Sequence, residues 1–386
     1  MIIGQFCDVF PPETDGVGMV VKNYTEELNR TQHCCYYISP NSPHTSPQAF
    51  PSFHYMSVKL AGGVYRAGLP VLDIPFRYKI KKTHFDIIHA HSPFIAGREA
   101  IRVSKQRNIP LIGTFHSKYY DDFYIKTHSR LLSKTGLRFV LDFYNTCDEV
   151  WAVNNATADV LRDYGYKKDI IIMPNGTNLW YPTDEEKKSA SERFNLKEGT
   201  ILLFVGQHNW KKNIRHIVEA VKIYASSSAD FKIVFAGQGP DEDDIKELVA
   251  ELGLSEKFLF TGQISDRSLL MSLYARADLL VFPSLYDNAP MVVREAAAAG
   301  TPSVLIKGSC SSEGITHEYN GFLCEDSPIS IAECISRAIP LIGEVGSNAR
   351  STIPIPWSII MTAVLARYNE LIQKKLYREQ KITAGN

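Results

Sequence analysis

The groups able to do chemistry in this 386-residue chain gather where apolar runs end and loops begin. In FVGQHNWKKN, residues 204–213, an apolar run enters a glycine-containing loop that closes on Lys211 and Lys212. A lysine so placed can neutralise charge that develops on a departing phosphate. Two lysines beside a helix start oppose the helix dipole unless an anion is bound there, so the pair is read as a candidate anion site rather than as a solvated surface pair. In VFPSLYDNAPMVVREAAAAGTPSV, residues 281–304, a loop carrying Asp287 leads to a helix expected to start near Pro290 and to stop at Gly300-Thr301-Pro302. Glu295 follows on that helix. The first N–H groups of a helix have no intrahelical acceptor and attract anions without a metal. Pro290 has no N–H, which leaves Met291 and Val292 as the candidate diphosphate donors.

Other candidates are less specific. HAHSPF and TFHSKYYDDF each follow an apolar run and place His91 and His116 at strand ends, where a neutral imidazole serves as a satisfied surface group or as a hydrogen-bond partner for a hydroxyl. ETDGVGMVV, residues 13–21, puts Gly16 and Gly18 between the first strand and the first helix, where backbone can approach a ligand. FAGQGPDEDD offers Gly237 and Gly239 after a strand. It lacks the third glycine of a dinucleotide fingerprint, so its glycines are expected to let backbone approach a nucleotide and its acids to decorate a helix start. Asp121 and Asp122 lack the Asp-x-Asp spacing of a metal-dependent sugar transferase, and no metal is expected. Residues 118–139 join aromatics and leucines to Lys126, Arg130, Lys134 and Arg138, a basic amphipathic segment suited to an anionic membrane or to packing with a solvated basic face.

The elements that must hold these groups alternate between short apolar runs and helical periodicity, the pattern of parallel sheets covered by helices on both faces. Strands are expected at 2–6, 34–39, 87–91, 111–116, 150–154 and 170–174, with helices at 19–29, 97–106 and 156–164. A Pro, Gly and Asn-rich stretch at 174–186 marks a linker. A second set of strands follows at 201–205, 232–236, 258–261, 279–283 and 303–306. The fold class is therefore α/β, two doubly wound Rossmann-like domains facing across a cleft. The domains are residues 1–176 and 177–353, with a C-terminal helical tail, 354–386, returning to the first domain. Open parallel sheets bind ligands at the carboxyl ends of their strands.

Lys plus Arg and Asp plus Glu each total 42, so no overall basic field argues for nucleic acid. Seven cysteines, odd in number and without a Cys-x-x-Cys pair, point to a reducing compartment rather than to zinc or a disulfide framework. The N-terminus has no basic leader and no apolar run reaches about 18 residues, which leads to the expectation of a cytoplasmic protein, peripheral at the inner membrane face if residues 118–139 touch lipid.

The 281–304 stretch resembles the nucleotide-sugar signature of retaining glycosyltransferases of family 4, a carboxylate, seven residues and a Glu before an Ala-rich helix ending in Gly-x-Pro. The resemblance implies donor-sugar contact for Asp287, which stands where Glu is usual, and ribose contact for Glu295. Residues 204–213 resemble the family's Gly-Arg-x-x-x-x-Lys-Asn motif, with Lys212 and Asn213 on its Lys-Asn and Gln207 at its Arg. Gly16 and Gly18 match its Gly-rich loop, and His116 its sugar-contacting histidine. The family likeness covers nearly the whole chain and implies the GT-B fold, retention of anomeric configuration and a nucleotide diphosphate sugar, usually of uracil, as donor. A narrower likeness to bacterial diacylglycerol glucosyltransferases rests on the Phe-His, aromatic and basic amphipathic order. The expected function is transfer of a hexose to a glycan, lipid or small-molecule hydroxyl, with catalytic His116, Lys212 and Asp287, donor contacts from Gly16, Gly18, Gln207, Gly237, Met291, Val292 and Glu295, and no cofactor. The alternatives are a sugar-nucleotide epimerase of the same fold and a catalytically weak binding subunit.

Overall fold

The computed structural model describes the chain except residues 11–15, 43–47, 60–65, 197, 228–229 and 385–386, with backbone alone at 379 and 382–384. Two compact units form, one from Met1–Asn175 with Trp357–Asn386 and one from Gly176–Pro356. The first is built on a seven-stranded sheet in the spatial order Ser52–Tyr55, Cys34–Pro40, Ile2–Phe6, Ile87–Ala90, Leu111–Phe115, Glu149–Ala152, Ile170–Ile172. All its pairings are parallel. The central strands are buried on both faces, which is why they read as mainly apolar runs. A small antiparallel pair, Ser57–Lys59 with Arg66–Gly68, and the helix Ile74–Lys82 complete this half. The short strands and this helix escape the sequence reading because each carries too few apolar positions to show a period.

The helix Trp357–Ala384 belongs to the first unit although the chain passes through the second to reach it. Its buried Tyr368 stacks on Trp151, centroids 5.7 Å apart. Arg367 pairs with Glu149 on the same strand. Aromatic stacking and a half-buried ion pair thus anchor the tail.

The second unit holds a six-stranded parallel sheet in the order Phe258–Gly262, Phe231–Ala236, Thr200–Val205, Leu279–Val281, Ser303–Ile306, Phe322–Cys324. The chain runs from Thr200–Val205 toward one edge and returns to Leu279–Val281 before filling the other. These two neighbours form the topological switch point, where loops diverge and ligands bind in open parallel sheets.

Several expectations need correction. Gly16 and Gly18 lie inside the first turn of the helix Gly16–Asn29 rather than in a turn before it, because the apolar period of Val17, Val20, Val21, Tyr24 and Leu28 runs through them and first-turn N–H groups need no intrahelical acceptor. Glu13 to Asp15 of that segment lie outside the described residues. Residues 118–139 do not form one continuous helical segment: Tyr119–Thr127 ends at left-handed His128, and Ser129 caps a new helix, Arg130–Thr146. Asp121 and Asp122 sit in the first turn of the former, where acids favour the dipole. Contrary to the expectation for apolar runs, Pro328–Arg378 contains a stretch long and apolar enough to cross a bilayer by composition. The segment is divided among the helices Pro328–Ala338, Ile342–Thr352 and Trp357–Ala384, and 28% of its apolar window is buried.

Candidate active site

The switch point of the second unit brings Lys212 and Asp287, 75 residues apart in sequence, into contact. Lys212 leaves the sheet in a 3-10 turn, Trp210–Lys212, held by the Asn209 carboxamide and by Asp241, which accepts from the Trp210 N–H at 2.9 Å. Asn213 then turns the chain at φ 61, a left-handed conformation Asn tolerates. Its Nδ2 donates to the Pro283 carbonyl at 3.2 Å and to Asp326 at 2.8 Å. That side chain ties the lysine loop to the end of the neighbouring strand.

Lys212 Nζ forms an ion pair with Asp287 Oδ1, both side chains being less than one-fifth exposed. Asp287 Oδ2 accepts from the Ser284 hydroxyl at 2.6 Å, and the Asp287 carbonyl accepts from Ser311 Oγ at 3.1 Å. The Lys212 and Lys211 ammonium groups lie 5.5 and 5.0 Å from the centroid of the Tyr286 ring. Lys212 is thus pinned by a carboxylate, whereas Lys211 lies over an aromatic face.

Five residues beyond Pro283, Asn288 opens the way to the helix Met291–Ala299, whose first turn has no side-chain cap and whose flanking Pro290 has extended backbone. Met291 and Val292 are its first two residues, so their N–H groups are among those without an intrahelical acceptor. The far end is secured: Gly300 adopts φ 85, and Arg350 donates to the Ala299 carbonyl at 2.5 Å. Thr301 is buried and donates to the Tyr274 carbonyl at 2.5 Å. The Ala run, the left-handed glycine and the buried threonine explain why this stretch has the composition it does.

Glu295 is buried on that helix, with Oε2 accepting from the Tyr274 hydroxyl at 3.0 Å and Oε1 paired to Arg267 at 2.9 Å. The Glu295 charge in turn raises the pKa of Tyr274 further, after burial, which is the larger cause. Neither Tyr274 nor Arg267 is visible from sequence spacing, and Ser284 is marked only by lying in the loop that carries Asp287.

Gln207 is exposed in the same loop. At Gly237 the absence of a side chain is required by a neighbouring loop. A Cβ there would lie 1.9 Å from the Gly206 carbonyl oxygen, and one at Gly239 would lie 2.3 Å from that of His208. Both glycines therefore let two strand-end loops of the sheet pack backbone to backbone, a contact that also sets the lysine loop in place.

In the first unit the corresponding switch point lies between Ile2–Phe6 and Ile87–Ala90. Asp8 bridges it, accepting from Ser92 Oγ at 2.7 Å and from the Ala96 N–H at 2.9 Å. His116 is half-buried just past the strand Leu111–Phe115, and its ring stacks at 5.3 Å on that of fully buried His91. Burial pushes the His116 pKa down to about 3 and that of His91 well below the usual range, so both rings are neutral near pH 7.

Comparison with known proteins accounts for these two switch points together. Residues 14–181 match the model described as Glycosyltransferase Family 4, and residues 184–341 match that of Glycosyl transferases group 1. The chain is 24% identical over 317 residues to the alpha-monoglucosyldiacylglycerol synthase of Streptococcus pneumoniae, covering 79% of this chain and 70% of that one. It is 23% identical to the Acholeplasma laidlawii protein of the same name, over 97% and 98% of the two chains. Among solved structures, Anabaena HepE in complex with UDP and glucose superposes with a TM-score of 0.76 at 17% identity, over 95% of this chain and 99% of that one, and so shares the GT-B fold. With each half matched by its own model and a paired lysine and carboxylate at the expected strand ends, the chain belongs to the family 4, group 1 glycosyltransferases, enzymes that draw on nucleotide-sugar donors.

Proposed function

We propose that this enzyme transfers a hexose from a uridine diphosphate sugar to a hydroxyl of a lipid or glycan, with retention of anomeric configuration and without a divalent metal. The observation that carries this reading is the Lys212–Asp287 pair beside the uncapped start of the helix Met291–Ala299. When the bond from the sugar to the diphosphate breaks, negative charge grows on the phosphate oxygens. Lys212 and the Met291 and Val292 N–H groups are the positive ends placed to receive it. Asp287 then takes a sugar hydroxyl, Glu295 the ribose, and His116 a further hydroxyl, while the acceptor oxygen bonds to the anomeric carbon on the face the diphosphate leaves and gives its proton to the departing phosphate oxygen.

The test is to follow nucleotide release from UDP-glucose, UDP-galactose and GDP-mannose, with and without diacylglycerol or glycan acceptors, in excess chelator. Acceptor-dependent release of UDP in chelator, with the product linkage of the donor's anomeric form, is expected. Release only after magnesium or manganese is restored would overturn the metal-free reading, and conversion of the donor sugar without acceptor would favour an epimerase.

A lipid acceptor is favoured by the surface of the helix Arg130–Thr146. Leu131 and Leu132 are 75% and 57% exposed beside exposed Arg130, Lys134 and Arg138. Apolar side chains flanked by cations suit the interface of an anionic bilayer. Replacing Arg130, Lys134 and Arg138 together by serine should weaken binding to phosphatidylglycerol vesicles roughly a hundredfold, since each basic group near such a surface contributes about 1 kcal/mol. If the wild-type protein ignores these vesicles at low salt, the membrane contact is wrong.

A further inference from the structure

A closed chain of buried hydrogen bonds runs from the last helix to His116. Gln5 is a polar residue in the middle of an otherwise apolar strand, fully buried, and its two amide ends have different partners. Its Nε2 donates to the Tyr368 hydroxyl at 3.1 Å. Its Oε1 lies 2.7 Å from His91 Nε2. A carbonyl oxygen only accepts, so His91 carries its proton on Nε2. Neutral His91 must then accept at Nδ1, and the group 3.1 Å from that nitrogen is His116 Nε2. His116 is thereby the donor in this contact and bears its proton on Nε2, leaving Nδ1 with acceptor character.

The other branch has the same direction. Tyr368, having accepted from Gln5, donates to His89 Nδ1 at 2.7 Å. His89 then donates from Nε2 to Thr114 Oγ1 at 2.6 Å. Turning the Gln5 carboxamide over would reverse the donor and acceptor in each of these bonds, so one side chain selects between two proton orders. The rings have little freedom to escape this choice. His89 and His91 pack 4.1 Å apart, with Tyr24 edge-on at 5.8 and 5.5 Å and Trp151 closing the far side.

We propose that Gln5 is a positioning residue which, through His91, fixes the proton of His116 on Nε2, with Tyr368 of the last helix as the partner of the other end of its carboxamide. An imidazole whose Nδ1 accepts can receive a hydrogen bond from a hydroxyl of the donor sugar, whereas the opposite tautomer would aim a hydrogen at it. That consequence for turnover rests on the reading of His116 as a sugar contact. The tautomer itself does not. It also gives the return of the C-terminal helix to the first unit a chemical purpose beyond packing, since the strand carrying Gln5 has no other source of that hydroxyl among the contacts described.

The tautomer is read directly from the side-chain nitrogen signals of 15N-histidine-labelled protein, with His116 identified by its loss in His116→Gln. Wild-type protein should show a protonated Nε2 and an unprotonated Nδ1. Gln5→Met, close in shape but without either amide group, should give averaged nitrogens and lower kcat by about tenfold, the scale on which loss of an orienting partner to a histidine is felt. Tyr368→Phe keeps the stacking on Trp151 and frees the carboxamide, so it should shift the nitrogens in the same direction by less, and it stands as the test if Gln5→Met does not fold. A wild-type His116 protonated on Nδ1, or one whose nitrogens are unchanged in both variants, would overturn the proposal. Because the spectra need no substrate, their failure leaves the assigned reaction untouched, and failure of the reaction leaves the tautomer result standing.

Discussion

Lys212→Ala is expected to lower turnover by roughly a hundredfold to a thousandfold at saturating donor, which corresponds to about 3 to 4 kcal/mol of lost transition-state stabilisation for one positioned electrostatic contact. The charge that Lys212 meets is largest when the sugar–phosphate bond is breaking, so the loss falls on kcat more than on donor binding. Two features of the site raise the expectation above that for an ordinary surface lysine. Its ammonium is already held by Asp287, and that carboxylate is fixed by Ser284, so little reorganisation is needed when the donor arrives. The loop's second motif position is Gln207, which brings no charge, and the phosphate therefore relies more on Lys212. Lys211→Ala is the comparison. Lys211 lies over the Tyr286 ring rather than against the carboxylate, and its removal should do much less. Both variants are to be assayed for donor cleavage after circular dichroism has established that they fold. Near-wild-type turnover in Lys212→Ala, or a greater loss in Lys211→Ala, would move the phosphate site away from this loop.

How far such a site is legible in sequence depends on whether its parts announce themselves locally. The helix Met291–Ala299 does so through a proline before it, an alanine run within it and a left-handed glycine after it, each a backbone requirement that restricts residue type. The central strands do so as well, because burial on both faces leaves a mainly apolar run. Edge strands such as Ser52–Tyr55 and Phe322–Cys324 are short and half-covered, and no period emerges from three or four residues. Pairings across the fold are illegible for a different reason. Nothing around residue 267 says that Arg267 will meet Glu295, and nothing around residue 368 says that Tyr368 will meet Gln5. The one signal available was Gln5 itself, an amide in a strand that should tolerate only apolar side chains, since a buried polar group demands a partner. The glycines at 237 and 239 are ambiguous in sequence because the same absence of a Cβ serves a nucleotide or another loop, and only the fold shows that the backbone of residues 206 and 208 lies against them.

Mild acid should destabilise the protein well before its carboxylates titrate. His89 and His91 are at most 1% exposed, and their pKa values are held well below 6.5, first by burial and then by the proximity of neighbouring imidazoles. His54 and His116 are shifted in the same direction, to about 4 and about 3, again mainly by burial. In the unfolded chain each takes up a proton near pH 6.5, whereas in the folded chain it does not. The unfolded state therefore binds more protons below that pH, and stability falls as pH falls. The loss begins near pH 6.5 and grows until the folded pKa values are reached; above about pH 7 these groups contribute no slope. For His116, with a folded pKa of about 3, linkage gives a cost of about 2 kcal/mol between pH 7 and pH 5, and His54, His89 and His91 add to the loss in the same direction. Against a total stability of roughly 5 to 15 kcal/mol for a protein domain, this is a large fraction. The measurement is the denaturation midpoint and free energy across pH 5 to 8 for the wild type, His89→Gln and His91→Gln. Each glutamine keeps a hydrogen-bonding side chain but cannot titrate, so each should lower stability at pH 7.5 while flattening the acid slope. A midpoint that does not change from pH 7.5 to 5, or a slope undiminished in both variants, would mean that the two buried rings are not what acid attacks.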